Sequence, residues 1–143
     1  MFAASSMTRT ALIESWLHRL GVTTEGNVGR PWWVRFGDTV VAVDIVEDGN
    51  DAYARVAALV TVRTKPSLDL LTRVLDLNNM VLMGAFRVLD NGTLAFSCTQ
   101  PLRESSFDSF QDALEYVVHV AERYSEELLS LGGGEPGKTL LES

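Results

Sequence analysis

Apolar residues recur along this chain at two spacings, every three to four residues in some segments and every second residue in others. The wider spacing is typical of amphipathic helices, and the alternation is typical of strands with one buried face. Helices are predicted over residues 12–20, 67–78 and 107–131, and strands over residues 32–36, 39–46, 53–63, 84–89 and 93–99. The order α-β-β-β-α-β-β-α predicts an α+β fold in which a five-stranded antiparallel sheet packs against helices.

Short polar turns connect the predicted strands. Gly37 and Asp38 form a two-residue turn between the first two strands, and the acidic run from Glu47 to Asp51 precedes the third. The pair Asn91-Gly92 between two alternating runs is the strongest short-range hairpin signal. We therefore expect the first three strands to form a meander and the last two to form a hairpin.

The helix between these two groups of strands carries more leucine than one apolar stripe requires. Ser67 is placed as its N-cap. The residues predicted to face the core are Leu68, Leu71, Val74 and Leu75. Because Leu70 and Leu77 fall outside that stripe, this middle helix is one candidate for a contact between two copies of the chain.

The last residues are rich in glycine and interrupt the helical pattern. Residues 132–139, GGGEPGKT, match the phosphate-binding pattern G-x-x-x-x-G-K-[ST]. That loop requires a preceding strand and a following helix, whereas here a helix precedes the match and only four residues follow it. We therefore expect a single domain over residues 1–131 and a flexible tail over residues 132–143 that does not bind nucleotides.

The composition of the chain indicates which classes of partner and which cellular compartment to expect. Twelve basic residues against nineteen acidic ones give a net charge of −7, which opposes binding to nucleic acid or to anionic lipid. Apolar runs are shorter than the roughly 20 residues that span a bilayer, and the first residues lack the basic and apolar regions of a secretory signal. The single cysteine, Cys98, cannot form an internal disulfide. We expect a cytoplasmic protein with neither nucleic acid nor membrane as a partner.

The residues that commonly carry catalysis or bind metals are scattered. Cys98 falls at an apolar position of a strand, which predicts a small buried side chain. The two histidines, His18 and His119, lie in predicted helices with no second His or Cys nearby in sequence. A nucleophile needs an adjacent base with an orienting group, and a zinc site needs several such ligands. We therefore expect no enzyme activity, no metal and no cofactor.

The second face of the predicted sheet has an unusual composition for a surface in contact with water. The alternation assigns to it Trp33, Arg35, Val40, Ala42, Asp44, Tyr53, Arg55, Ala57, Leu59, Ala85, Arg87 and Leu89. Tryptophan, tyrosine and arginine are preferred interface anchors, and apolar patches of this size are uncommon on monomers. Partner binding is therefore predicted on this face, against the alternatives of a solvent-facing sheet and of partial cover by one helix. The predicted anchors are Trp33, Arg35, Tyr53, Arg55 and Arg87.

One stretch of residues, together with the order of elements, resembles a known family. The stretch is LNNMVLMGAFRVLDNGTLAFSCTQPL, residues 77–102, and its marker residues are Leu77, Asn78, Gly84, Phe86, Asp90 and Gly92. It resembles YbjN-like proteins, and the element order over about residues 8–131 is similar to that of the type III secretion chaperone-like fold. The resemblance implies a non-enzymatic protein that binds a peptide or protein segment, often as a homodimer, with a chaperone-like or regulatory role. It supplies no catalytic residues.

Two hypotheses of function follow from these observations. The first is a cytoplasmic, homodimeric, chaperone-like module that binds a client segment on the mixed sheet face. The second is a small-ligand-binding or sensory regulatory domain in which Trp32 or Trp33 lines a pocket between sheet and helix. The sequence encodes no recognisable secretion partner, so the client stays open. The sheet face and the middle helix both remain candidates for the dimer interface.

Overall fold

Residues 6–25 and 30–141 are described by the computed structural model, and they form three helices and one sheet. The helices are α1 (Ser6–Leu20), α2 (Leu68–Met80) and α3 (Phe107–Gly132). The strands are β1 (Thr24–Glu25), β2 (Trp32–Phe36), β3 (Thr39–Asp48), β4 (Asp51–Val62), β5 (Ala85–Val88), β6 (Leu94–Pro101) and β7 (Glu135–Pro136). The predicted α+β class is confirmed. The described residues form seven strands instead of five, because β1 and β7 span two residues each and are too short to produce an alternating pattern.

Every described strand pair is antiparallel, and the order across the sheet is β1-β2-β3-β4-β6-β5, with β7 paired to the end of β4. Strands β2, β3 and β4 form the predicted meander. The final hairpin joins the sheet through β6, so β5 lies at an edge. The two halves of the chain therefore meet within the sheet where β4 pairs with β6.

The main core lies between one face of the sheet and the three helices. Trp16 of α1 packs against Phe110 of α3 with ring centroids 5.1 Å apart, which joins two helices that are distant in sequence. Phe86 and Phe96 meet edge to face at 4.8 Å where β5 pairs with β6. Such aromatic pairs add to the stability gained from burying their apolar area. The alternate apolar residues predicted to be buried on this face are thus covered by helices from both ends of the chain.

Helix α2 begins as predicted but presents a different stripe to the core. The Ser67 hydroxyl accepts a hydrogen bond from the Leu70 backbone N–H at 3.1 Å, as expected of an N-cap. The buried residues, however, are Leu70, Val74 and Leu77. Leu68, Leu71 and Leu75 are 80%, 39% and 66% exposed. The stripe predicted for the core was therefore wrong in phase, because both leucine sets fit a helical period and only packing against α3 and β5 distinguishes them.

The side chain of Asn78, at the end of α2, occupies part of the outer edge of β5. Its Oδ1 accepts a hydrogen bond from the Phe86 N–H at 2.7 Å, and its Nδ2 donates to the Phe86 carbonyl at 3.3 Å. The amide thereby supplies the two bonds that a neighbouring strand would supply. Edge strands with unpaired backbone groups invite association, and a side chain that satisfies them reduces this hazard.

The segment that follows α3 packs against β4. Glu135–Pro136 pairs with Thr61 and Val62, and a short 3-10 turn then runs over residues 137–141. A Cβ atom added to Gly134 or Gly137 would lie 2.3 Å from the Val62 carbonyl oxygen or 2.2 Å from that of Leu59. The glycines therefore allow the backbone to approach β4 closely. Composition alone does not reveal this close backbone approach, and residues 142 and 143 of the expected tail lie outside the described residues.

Candidate binding face of the sheet

The register of β4, β5 and β6 places two arginines diagonally around one serine on the second face of the sheet. Ser97 lies opposite Ala57 of β4 on one side and opposite Ala85 of β5 on the other. Two residues away in opposite directions, Arg55 pairs with Thr99 and Arg87 pairs with Ala95. Because alternate residues share a face, these side chains belong to one surface.

This surface contains a groove of about 450 Å³ over the three strands. The residues that line it include Arg55, Ala85, Arg87, Ser97 and Thr99. Its floor is built from small side chains, so a ligand can approach the backbone of the sheet. Arg55 and Arg87, with their long side chains, supply its positive charge.

Arg55 is half-buried and is tied to the groove by one hydrogen bond. Its Nε donates to the Thr99 hydroxyl at 3.1 Å. Burial lowers the pKa of Arg55, and the nearby charge of Arg87 lowers it further, while Asp44 acts in the opposite direction. The guanidinium nevertheless stays protonated at physiological pH. Arg55 and Arg87 line the same groove, and the direction of the Arg55 shift agrees with this proximity.

The carboxylate of Asp44, the acidic group that faces Arg55, also interacts with other groups. Asp44, which faces Arg55 across the β3–β4 pair, accepts a hydrogen bond from the Ile45 N–H at 2.8 Å. It also lies 3.6 Å from the Arg30 guanidinium. Asp44 is therefore not dedicated to Arg55.

Most basic residues of the chain are neutralised locally, and the groove differs in this respect. Seven of the twelve lysines and arginines form ion pairs within the described residues; they are Arg9, Arg30, Arg35, Arg63, Arg73, Arg103 and Lys138. Arg19 and Arg123 lie over the rings of Phe107 and Tyr124. Lys65 is exposed and forms no ion pair with a described residue. Neither Arg55 nor Arg87 forms an ion pair with a described residue. The groove thus carries two positive charges without a direct counter-charge in a protein of net charge −7.

The other three predicted anchors lie elsewhere on the same face. Arg35 donates from Nε to Glu25 of β1 at 2.9 Å, so its charge is balanced. It is four strands from Arg87, about 19 Å at the usual spacing of strands. Trp33 packs against an apolar cluster that the docked C-terminal segment covers through Leu141. Tyr53 is half-buried opposite Val46 and Pro101. The structure therefore brings Arg55 and Arg87 together and separates them from the balanced Arg35.

A family model described as "Putative bacterial sensory transduction regulator", YbjN, matches residues 10–130 of the chain. The match extends over most of the 143 residues. The chain belongs to the YbjN family. No curated protein matches it. The family resemblance seen in residues 77–102 is thus confirmed, and the description of the family is that of a regulator.

Some residues of the groove in this YbjN-family chain were missed by sequence reasoning. Ser97 and Thr99 lie at the alternate positions of the last predicted strand that face away from the core, but nothing else in the sequence marks them as binding residues. Gly84 enters β5 with φ +79°, and a Cβ there would lie 2.2 Å from the Ser97 carbonyl oxygen. Glycine is needed at position 84 because β5 and β6 approach each other closely where the groove begins.

Other hollows are lined by described residues elsewhere on the YbjN-family chain. Trp32 lines one of about 240 Å³ beside α1 and β1, together with Leu17 and His18. Another, about 360 Å³, lies beside the docked C-terminal segment and includes Lys138. The first corresponds to the pocket between sheet and helix that the small-ligand hypothesis requires.

The groups considered for catalysis remain apart. Cys98 is 5% exposed, and burial raises the pKa of its thiol to about 11, so the thiol is protonated at neutral pH. His119 is exposed on α3. Within residues 6–25 and 30–141, no three His, Cys, Asp or Glu side chains are grouped as metal ligands, and no helix is long and apolar enough to cross a membrane. The arrangement that stands out chemically in this YbjN-family chain is the groove with its two arginines.

Proposed function

We propose that this chain is a non-enzymatic regulatory module that binds a polypeptide segment on the second face of its sheet, with a chaperone-like action on that segment. The observation that carries the proposal is the groove with two arginines that lack an ion-pair partner among the described residues. The description of the YbjN family as a regulator agrees with a binding role. Of the five anchors expected from the sequence, Arg55 and Arg87 form the centre of the proposed site. Tyr53 lies two residues before Arg55 on the same face, and Trp33 lies farther away beside the docked C-terminal segment.

Binding on the face is favoured over addition of a strand to the edge. The outer hydrogen-bonding groups of Phe86, within the four-residue edge strand β5, are already satisfied by Asn78. The opposite edge strand, β1, has two residues. Addition of a strand needs a row of unpaired backbone groups, whereas the face offers a groove with a floor of small side chains.

The exposed leucines of α2 offer a separate contact, which we propose for the homodimer. Leu68, Leu71 and Leu75 follow one another at helical spacing on the side of α2 turned away from the core. Two such ridges can pack together around a twofold axis. Sedimentation at micromolar concentration should show a dimer that Leu75→Glu dissociates; a monomer in both proteins would contradict this assignment.

A matched pair of charge reversals tests the binding role. Arg55→Glu changes the groove, and Arg103→Glu makes the same change in charge at a residue that pairs with Asp51 on an exposed turn. Tagged proteins are used to capture partners from the cells that make them, and each captured partner is purified and retested directly. Loss of binding in Arg55→Glu alone, with both variants folded, is expected. Equal binding by the two variants would refute the site.

The second candidate function is a sensory domain for a small ligand, favoured by the hollow beside Trp32. A metabolite that enters this hollow should change tryptophan fluorescence and leave binding of polypeptides unaffected. Removing the indole with Trp32→Phe, and separately Trp33→Phe, would identify which ring responds. A response that depends on Trp32 favours the sensory candidate, and a response that peptides also produce through Trp33 favours the sheet face.

A further inference from the structure

We infer that Arg55 and Arg87 bind an oxyanion, the carboxylate or phosphate group of a polypeptide ligand, above the Ser97 position. The inference rests on the proposed function for its biological ligand, but the site itself can be tested without any partner. It assigns a chemical class to the ligand: an acidic or phosphorylated segment instead of an apolar one.

The geometry of the sheet places donors on opposite sides of a single point. Arg55 projects from β4 at the level of Thr99, and Arg87 projects from β5 at the level of Ala95. Ser97 lies between these levels on β6, and its hydroxyl forms no hydrogen bond with a described residue. An oxyanion above Ser97 can therefore be reached by both guanidinium groups and by this hydroxyl.

The donors required for such a ligand are still available. The Nε of Arg55 donates to Thr99, and the terminal nitrogens of this groove-lining residue form no hydrogen bond with a described residue. The hydrogen bond to Thr99 also fixes the orientation of the planar group. The side chain of Arg87 forms no hydrogen bond with a described residue. Arginine presents its donors in a planar fork that matches the two oxygens of a carboxylate or phosphate.

The charge balance favours an anion over a neutral ligand. Two like charges in a half-buried groove raise the free energy of the empty site, and the lowered pKa of Arg55 reflects burial first and then this repulsion. Asp44 acts against the shift but is also engaged by Arg30 and the Ile45 N–H. An incoming anion removes the repulsion, whereas the overall charge of −7 disfavours the polyanionic surfaces of nucleic acid and membranes.

The test is a titration of the purified full chain with inorganic phosphate and, separately, with N-acetyl-aspartate. The arginine Nε–Hε resonances are followed by heteronuclear NMR at constant ionic strength. Arg19 and Arg123, which lie over aromatic rings, are internal controls in the same spectra. Either anion should shift the Arg55 and Arg87 resonances saturably, and the tighter anion identifies the source of the oxyanion.

Two substitutions that each remove one positive charge, at Arg87 and at Arg123, complete the experiment. Arg87→Gln should weaken binding at least tenfold, as expected from the loss of a charge-assisted hydrogen bond, while Arg123→Gln should change it less than twofold. Arg87→Lys, which keeps the charge but not the fork, should give an intermediate affinity and serves if Arg87→Gln is unstable. Equal shifts at all arginines, or equal affinity in Arg87→Gln and Arg123→Gln, would overturn the site. Failure of partner capture with intact anion binding would instead count against the proposed function alone.

Discussion

The hydrogen bonds between Asn78 and β5 give the sharpest prediction about stability. Asn78→Ala removes both bonds to the Phe86 backbone, at 2.7 and 3.3 Å, without opening a large cavity. Each such bond contributes a net of about 1 kcal/mol to stability. We therefore expect the free energy of unfolding to fall by about 2 kcal/mol relative to a matched control.

The control is Asn79→Ala, which makes the same substitution at the next residue of α2. Asn79 is exposed, and its side chain forms no hydrogen bond with a described residue. Alanine raises helix propensity by up to roughly 0.7 kcal/mol at either position, so the difference between the variants isolates the bonds to Phe86.

Urea unfolding followed by tryptophan fluorescence measures this difference, with equal m-values expected for the two variants. Because Arg87 follows Phe86 in β5, Asn78→Ala should also weaken phosphate binding in the groove. Identical urea midpoints for the two variants would refute the view that Asn78 secures β5.

Three further predictions address other parts of the fold. Gly137→Ala, whose Cβ would lie 2.2 Å from the Leu59 carbonyl oxygen, should speed amide hydrogen exchange over residues 135–141 relative to the unsubstituted chain; unchanged exchange would contradict the docking. The thiolate fraction of Cys98 at pH 8 should be about 100-fold below that of a thiol with pKa 9.0, since burial raises its pKa to about 11. Its labelling by a thiol reagent should accelerate as the pH rises, and fast labelling of the folded protein at pH 7 would contradict this. Leu70→Ala should cost about 2–5 kcal/mol of unfolding free energy and Leu71→Ala much less, because Leu70 is 0% and Leu71 is 39% exposed; the reverse order would refute the phase of α2.

The regular elements were predictable because the periodicity of the apolar residues and the turn residues between them indicate the same boundaries. The Asn91-Gly92 hairpin, the Ser67 cap and the five long strands all follow from local chemistry that needs no tertiary information. The phase of α2 did not follow, because leucines occupy both possible stripes and the choice depends on what packs against them. The family markers Asn78 and Phe86 were visible in the sequence, but the hydrogen bonds that join them were not.

The candidate site was only partly predictable for a similar reason. Alternation identified the face, and it placed all five proposed anchors on it. Alternation does not give the order of strands, and that order brings Arg55 near Arg87 and leaves Arg35 beside Glu25. Pairing of β6 between β4 and β5 is a contact between distant parts of the chain, so the groove depends on topology more than on local pattern.

Photocrosslinking from two positions tests the central claim most directly. Tyr53→p-benzoylphenylalanine places a probe of similar shape on the proposed binding face, two residues before Arg55, and Leu75→p-benzoylphenylalanine places one on the exposed ridge of α2. With a purified partner, we predict crosslinks from position 53 that phosphate or an acidic peptide suppresses, and none to the partner from position 75. Partner crosslinks from position 75 alone would contradict the assignment of the sheet face.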